Sequence, residues 1–257
     1  MIKEQSKFFN SNIFEGMSSI SAIIKSIEME ISDRKIISVL IDEEKRKSKA
    51  KEIAFLRAKS QLLSFELKFV DGSVIDEISV GNTHGGIVAE CSERTLMPLE
   101  TNCIIQNGVY YLLEGIEDPY NFGNAVRSLY ASGADGLILG ERNWMGVAGT
   151  VSRASAGTSE LLPTYISETV AAVRLFKSLG YKVICAGIRD SESLFECDLS
   201  KPLLVILGGE KRGISRAVLE LADKIVRIDY GTDFRGSLSS SASAAVFAFE
   251  IFRYNKK

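Results

Sequence analysis

From Val109 onward the chain repeats one unit: a short apolar run, a turn, then a helical segment. Strand candidates fall at 109–114, 135–139, 162–166, 181–187, 203–207 and 224–228. Gly133 and Gly180 close two of the helical segments, because a residue without Cβ suits the left-handed turn that stops a helix. Strands that alternate with helices are joined by crossovers, so they lie parallel in one sheet with helices on both faces. This regularity predicts an α/β fold for the later part of the chain.

The earlier part is patterned less tightly. Residues 1 to about 33 read as helical, with Ile13, Phe14, Met17, Ile20, Ile23, Ile24 and Ile27 at helical spacing. Ile36 to Ile41 reads as a strand, Lys45 to Leu63 as an amphipathic helix, and Phe65 to Val70 as a second strand. Val74 to Val80 follows as a short helix, and Asn82 to Glu90 as a turn leading into a strand. These elements make a small α/β domain. The unpatterned stretch 91–107, with Pro98, marks the boundary, giving domains at 1–98 and 99–257. A chain of 257 residues can bury two cores of that size.

Composition narrows the function classes. The chain is 46% hydrophobic and 25% charged, which excludes a mostly disordered protein. Four cysteines form no C-x-x-C pair and there is one histidine, so no metal site is expected. Nothing resembles a signal peptide or a membrane span, which points to a cytoplasmic protein with no membrane partner. The net charge of −2 hides one basic stretch: residues 34–59 hold nine Lys/Arg against four acids. Taken alone, that stretch reads as a solvated helix face.

The chemistry-bearing residues sit where strands run into turns. Leu203 to Leu207 stops at Gly208-Gly209-Glu210-Lys211-Arg212-Gly213, with a helical segment at Ser215 to Ala222 beyond it. The strand at Ile225 to Ile228 leads through a loop into Ser237-Leu238-Ser239-Ser240-Ser241 and a terminal helix. Strand 109–114 leads into Asp118-Pro119-Tyr120-Asn121-Phe122-Gly123-Asn124-Ala125-Val126-Arg127. Strand ends meeting helix N-termini gather free N–H groups and helix dipoles, so these turns can build one ligand site from main chain. Singly, each also reads as an ordinary capped helix or surface turn, with Asn121 as the cap of the helix that follows Pro119.

Taken in order, the three turns resemble the signature motifs of the SpoU (TrmH) family of RNA ribose 2′-O-methyltransferases. Ser152-Arg153-Ala154-Ser155-Ala156-Gly157 and Leu162-Pro163 are similar to that family's connecting helix and strand, and the likeness covers roughly 107–253. The N-terminal part, through Phe14 to Ile24 and His84-Gly85-Gly86-Ile87, resembles the substrate-binding domain of larger members, itself similar to small ribosomal RNA-binding proteins.

The resemblance implies a parallel sheet with a deep trefoil knot, a homodimer, and S-adenosylmethionine as cofactor, held by Gly208, Glu210, Ile228 and Leu238. It implies catalytic roles for Arg127, Asn121 and Ser237, with Ser237 also capping the terminal helix. Arg127 is read as a phosphate clamp that also stabilises the developing 2′-oxyanion, since a guanidinium gives up its proton too reluctantly to act as base. Ribosomal RNA, 23S first, is favoured over transfer RNA because an RNA-reading domain is present. With RNA as substrate, the basic stretch 34–59 becomes a candidate phosphate-binding face. The sequence departs from the family at Ser239, where Asn is usual, and at Asp229-Tyr230, where Pro and an apolar residue are common. The competing readings are a transfer-RNA ribose methyltransferase and a non-catalytic RNA-binding protein of ribosome assembly, the latter supported by Ser239.

Overall fold

The structure, a computed structural model, describes residues 12–140 and 144–256. The chain divides into two compact units: residues up to Thr95 with Trp144–Leu161, and Leu96 to 143 with Leu162–Lys257. The first unit thus includes Trp144–Leu161 from the later part of the chain.

In the first unit, β1 (Ile13–Glu15), β2 (Ile36–Asp42), β3 (Glu66–Val70) and β4 (Ile87–Cys91) form a sheet in the order β1-β4-β2-β3. β4 runs antiparallel to both β1 and β2, while β2 and β3 are parallel. Helices α1 (Gly16–Glu28), α2 (Ala50–Leu63) and α3 (Gly72–Ile78) connect the strands, and α5 (Ala148–Ala154) and α6 (Thr158–Leu161) complete the unit. The helix expected over residues 1 to about 33 is shorter. Positions 1–11 lie outside the described residues, and Ile13–Glu15 pairs with β4 instead of continuing the helical spacing. Edge pairing overrides local periodicity there, placing Phe14 in the core beside Ile20, Ile23, Ile24, Val39 and Leu56.

A buried ionic group ties α6 into this unit. Arg34 is fully buried, with Nε 3.1 Å from Glu160 Oε2 and its guanidinium 4.5 Å above the Phe14 ring. Arg94 lies 4.0 Å from the same carboxylate and donates to the carbonyl of Ser159 at 3.1 Å. One carboxylate therefore serves two buried guanidiniums. The charge excess over 34–59 is correspondingly smaller at the surface than in the sequence, because Arg34 is internal.

In the second unit, eight strands form one parallel sheet in the order β10-β12-β9-β11-β6-β7-β8-β5. They are β5 (Met97–Pro98), β6 (Val109–Glu114), β7 (Gly136–Leu139), β8 (Thr164–Ile166), β9 (Lys182–Ala186), β10 (Glu192–Ser193), β11 (Leu203–Gly208) and β12 (Lys224–Arg227). The two-residue edge strands β5 and β10 carry no pattern that a sequence could show. Between the strands run α4 (Pro119–Ala131), α7 (Thr169–Ser178) and α8 (Arg216–Leu219), and α9 (Ser240–Asn255) ends the chain. The central strands are continuous apolar runs, as a sheet covered on both faces requires. Tyr110 and Leu112 of β6 pack with Val173 and Phe176 of α7, while α9 packs on α4 and β11.

Removing the Glu160 carboxylate leaves two buried guanidiniums without their counter-charge. Glu160→Ala is expected to destabilise the first unit by about 3–5 kcal/mol in urea unfolding. Burial pushes the Cys91 and Cys185 thiols up to about 12, and Cys197 upward as well, while Cys103 is half-buried. A thiol reagent at pH 8 is therefore expected to label Cys103 rapidly in the native protein, and all four cysteines only after denaturation.

Candidate active site

The site forms where β6 and β11 lie side by side. Their register places Gly208 opposite Glu114, so the two strands end together. From β6 the sheet continues through β7 and β8 on one side, and from β11 through β9 and β12 on the other. Such a switch point leaves a crevice beyond the carboxyl ends of the strands.

Main chain meets main chain in that crevice. Gly209 N–H donates to the Glu114 carbonyl at 2.6 Å, and Gly213, at φ +63°, donates back to Gly209 at 3.0 Å. A Cβ on Gly208 would stand 2.5 Å from the Gly213 carbonyl carbon, and one on Gly209 would stand 1.9 Å from the Gly115 oxygen. Only glycine lets these strands and turns approach so closely. Side chains add two ties: Lys211 pairs with Glu117, and Ser215 N–H donates to Glu114 at 3.1 Å.

Helix α4 opens at this crevice, with Asp118 as its cap and not Asn121. The Asp118 carboxylate accepts from Asn121 N–H at 2.7 Å, and Pro119 occupies the first turn, where its missing donor costs nothing. With its main chain held by Asp118, the Asn121 side chain is available, and its Nδ2 lies 2.7 Å from Glu210 Oε1. Helix α9 also starts here. Its cap is Ser239, which accepts from Ala242 N–H at 3.2 Å, so the terminal helix starts later than Ser237. Ser237 lies exposed two residues before that cap and does not cap the helix. Ser240 N–H lies 3.5 Å from Glu210 Oε1, and Ser240 Oγ lies 3.5 Å from the Gly208 carbonyl.

Asn121, Gly208, Glu210 and the start of α9 are thus brought together. Ile228 follows directly after β12. Leu238 N–H donates to the Tyr230 hydroxyl at 3.3 Å, which orders the loop before α9. Arg127 is exposed, and among the described residues it makes no hydrogen bond or ion pair. It lies six positions after Asn121, about 240° around the helix, so the two side chains leave α4 in different directions.

With this geometry in place, the matches to known proteins have a physical counterpart. Residues 108–249 match the SpoU rRNA Methylase family, and residues 14–97 match the RNA 2′-O ribose methyltransferase substrate binding family. The chain belongs to the SpoU rRNA methylase family. A 23S rRNA (guanosine-2′-O-)-methyltransferase RlmB from Burkholderia sp is 30% identical, over 73% of this chain and 77% of its own length. The RlmB of Blochmanniella floridana is 26% identical over 96% of both chains. An AdoMet-bound rRNA methyltransferase from Sinorhizobium meliloti has the same fold, with a TM-score of 0.77 at 20% identity over 98% of this chain and 94% of that one.

Three residues escaped the sequence reading. Asp118 shows a capping signal (Asp before Pro), but Asn121 competed with it. Tyr230 and Ser241 showed none, because their partners lie across a loop or on another helix. In the first unit, Glu15, Lys49, His84 and Arg153 line a cavity of about 330 Å³. Arg153 pairs with Glu15 at 3.3 Å, and His84 lies 3.0 Å from Asp76 at Nε2 and accepts from Gly86 N–H at Nδ1. His84 is therefore held by the turn it belongs to. Several cations of the basic stretch are paired: Lys45 with Asp42, Arg46 with Glu43, Lys49 with Glu52 and Lys59 with Glu28. Lys35, Lys47, Lys51 and Arg57 stand exposed outside these pairs.

Gly209→Ala tests the crevice directly. Its methyl group would overlap the Gly115 carbonyl, and the variant is expected to lose about 1–3 kcal/mol in denaturant unfolding.

Proposed function

We propose that the crevice between β6 and β11 carries out methyl transfer from S-adenosylmethionine to a ribose 2′-hydroxyl of structured RNA, with 23S ribosomal RNA as the substrate. The observation that carries this reading is the Asn121–Glu210 hydrogen bond, which joins the turn after β6 to the turn after β11 beside the α9 N-terminus. Its chemical fit lies in position: the turns after β6 and β11 and the start of α9 meet beyond the carboxyl ends of the strands, where α/β sheets take their ligands.

Gly208 and Glu210 would hold the cofactor from one side, with Ile228 and Leu238 supplying apolar contact from the other. When bound there, the cofactor supplies an electrophilic methyl group on a sulfonium. The rest falls to this chain's residues, and positioning dominates, since attack geometry can supply roughly 7–11 kcal/mol of a barrier. As the 2′-oxygen forms its bond to carbon and the carbon–sulfur bond breaks, the hydroxyl proton passes to solvent or a neighbouring phosphate. The chain's only histidine is His84, so residues 99–257 contain no imidazole base. Arg127, exposed and without an ion pair among the described residues, is suited to grip that phosphate in bidentate fashion and to stabilise the developing oxyanion. Asn121 assists, held in place by Glu210. Ser237, exposed in the loop before α9, would face the substrate.

The same reading includes a deep trefoil knot, in which the last segments of the chain pass through an earlier loop, and a homodimer. The Phe249 and Phe252 rings of α9 meet edge to face with centroids 6.5 Å apart, and both are exposed, so a second copy would bury them. The same reading places the enzyme in the cytoplasm; among the described residues no helix is long and apolar enough to cross a membrane. The first unit would present the RNA, with Lys47 just before α2 and Lys51 in its first turn, both exposed, neutralising phosphate. Ser239 caps α9 as an Asn would, so the departure from Asn leaves the terminal helix its cap.

The test is incubation with labelled S-adenosylmethionine and ribosomal RNA lacking the modification, followed by digestion to nucleosides. Label is expected in a ribose-methylated nucleoside, and Arg127→Ala is expected to lower the rate by roughly 10²–10³-fold. Absence of label from every RNA pool would overturn the reading. The double variant Lys47→Glu, Lys51→Glu is expected to raise KM for RNA and flatten its salt dependence while leaving cofactor affinity intact.

A further inference from the structure

The Asn121 amide makes two hydrogen bonds whose chemistry fixes which end is which. Its nitrogen lies 2.7 Å from Glu210 Oε1, and its oxygen lies 3.3 Å from Ser241 Oγ. A carboxylate only accepts, so the amide N–H faces Glu210 and the amide oxygen accepts from Ser241. Ser241 has one hydroxyl hydrogen, and Asn121 takes it. The 3.1 Å contact between Ser239 Oγ and Ser241 Oγ must therefore run from Ser239 to Ser241. Ser239 in turn accepts from Ala242 N–H. A single direction of donation thus runs from the first turn of α9 through Ser239, Ser241 and Asn121 to Glu210.

We propose that Ser239 and Ser241 are positioning residues that hold the Asn121 amide in one orientation for methyl transfer. The proposal rests on the function assigned above to this site. Hydrogen bonds aligned head to tail polarise one another, and turning the amide over would break two of them at once. Orientation matters because Asn121 keeps one N–H outside the relay. Held this way it offers a donor to whatever enters the crevice, and turned over it would offer a carbonyl oxygen.

The direction of donation also accounts for serine at 239. An Asn there would accept from Ala242 N–H through its oxygen and donate to Ser241 through its nitrogen, preserving the direction. Asp would not. It caps a helix as well as Asn or Ser, but it has no hydrogen for Ser241 and would draw the Ser241 hydroxyl away from Asn121. Cap strength and relay direction are thereby separable.

The experiment compares wild type with Ser239→Asp, Ser239→Asn, Ser241→Ala and Ser241→Thr in the full chain. It measures kcat, KM for labelled S-adenosylmethionine, thermal midpoint and the side-chain amide resonances of Asn121. Ser239→Asp and Ser241→Ala are expected to lower kcat by roughly tenfold, the worth of one hydrogen bond, with the cofactor KM little changed. Ser239→Asp should keep its thermal midpoint and shift the Asn121 amide resonances. Ser239→Asn and Ser241→Thr should recover most of the rate. A Ser239→Asp variant with wild-type kcat and unshifted resonances would overturn the relay. So would a Ser241→Ala variant that loses stability alone. Wild-type protein that labels no RNA would instead overturn the assigned reaction, and the amide resonances would still decide the relay.

Discussion

The second unit depends on one close approach, that of the turn after β11 to the turn after β6. Gly209 sits against the Gly115 carbonyl and Gly208 against Gly213, at separations that leave no room for a Cβ. Because β6 and β11 are also neighbours in the sheet and end in register, the approach is rigid at both strands. The start of α9 then comes to the same place through Ser240, which reaches both Gly208 and Glu210. Everything proposed for the site, from the residues that would hold the cofactor to the orientation of Asn121, follows from that convergence.

Two capping residues do more than start helices. Asp118 caps α4 and leaves the Asn121 side chain available for Glu210. Ser239 caps α9 and donates onward to Ser241. Glu210 receives from both helices and so joins them. Caps are local devices worth about 1 kcal/mol each, but here their spare hydrogen-bonding capacity is turned toward neighbouring elements. This is why a short, weakly patterned stretch such as Ser237 to Ser241 can govern geometry twenty or more residues away.

The first unit shows how far net charge can mislead. Its basic stretch is partly internal and partly neutralised: Arg34 is consumed by a buried carboxylate, and four other cations have acidic partners. What remains for a phosphate backbone is a smaller exposed set on and before α2. The same buried group draws in α6, a segment distant in sequence, so the unit is not a contiguous stretch of chain.

Much of the fold was determined by the sequence alone. Short, mostly apolar runs alternating with helical segments suit the strands of a parallel sheet, so the six principal strands of the large sheet were legible, as were the glycine-bearing turns that place the site. The two-residue strands were not, since two residues carry no period. The strand at Ile13–Glu15 was hidden because its apolar residues also fit a helix, and only pairing with β4 decided between them. Asn121 and Glu210 could be named from the sequence, but their contact could not, nor could the exchange of capping roles between Asn121 and Asp118 or between Ser237 and Ser239. Those assignments depend on which donor lies within about 3 Å of which acceptor across 89 residues of chain. Periodicity encodes which face of an element is buried. Only tertiary structure decides which polar groups meet, because a hydrogen bond is set by distance and direction and leaves no repeat in the sequence.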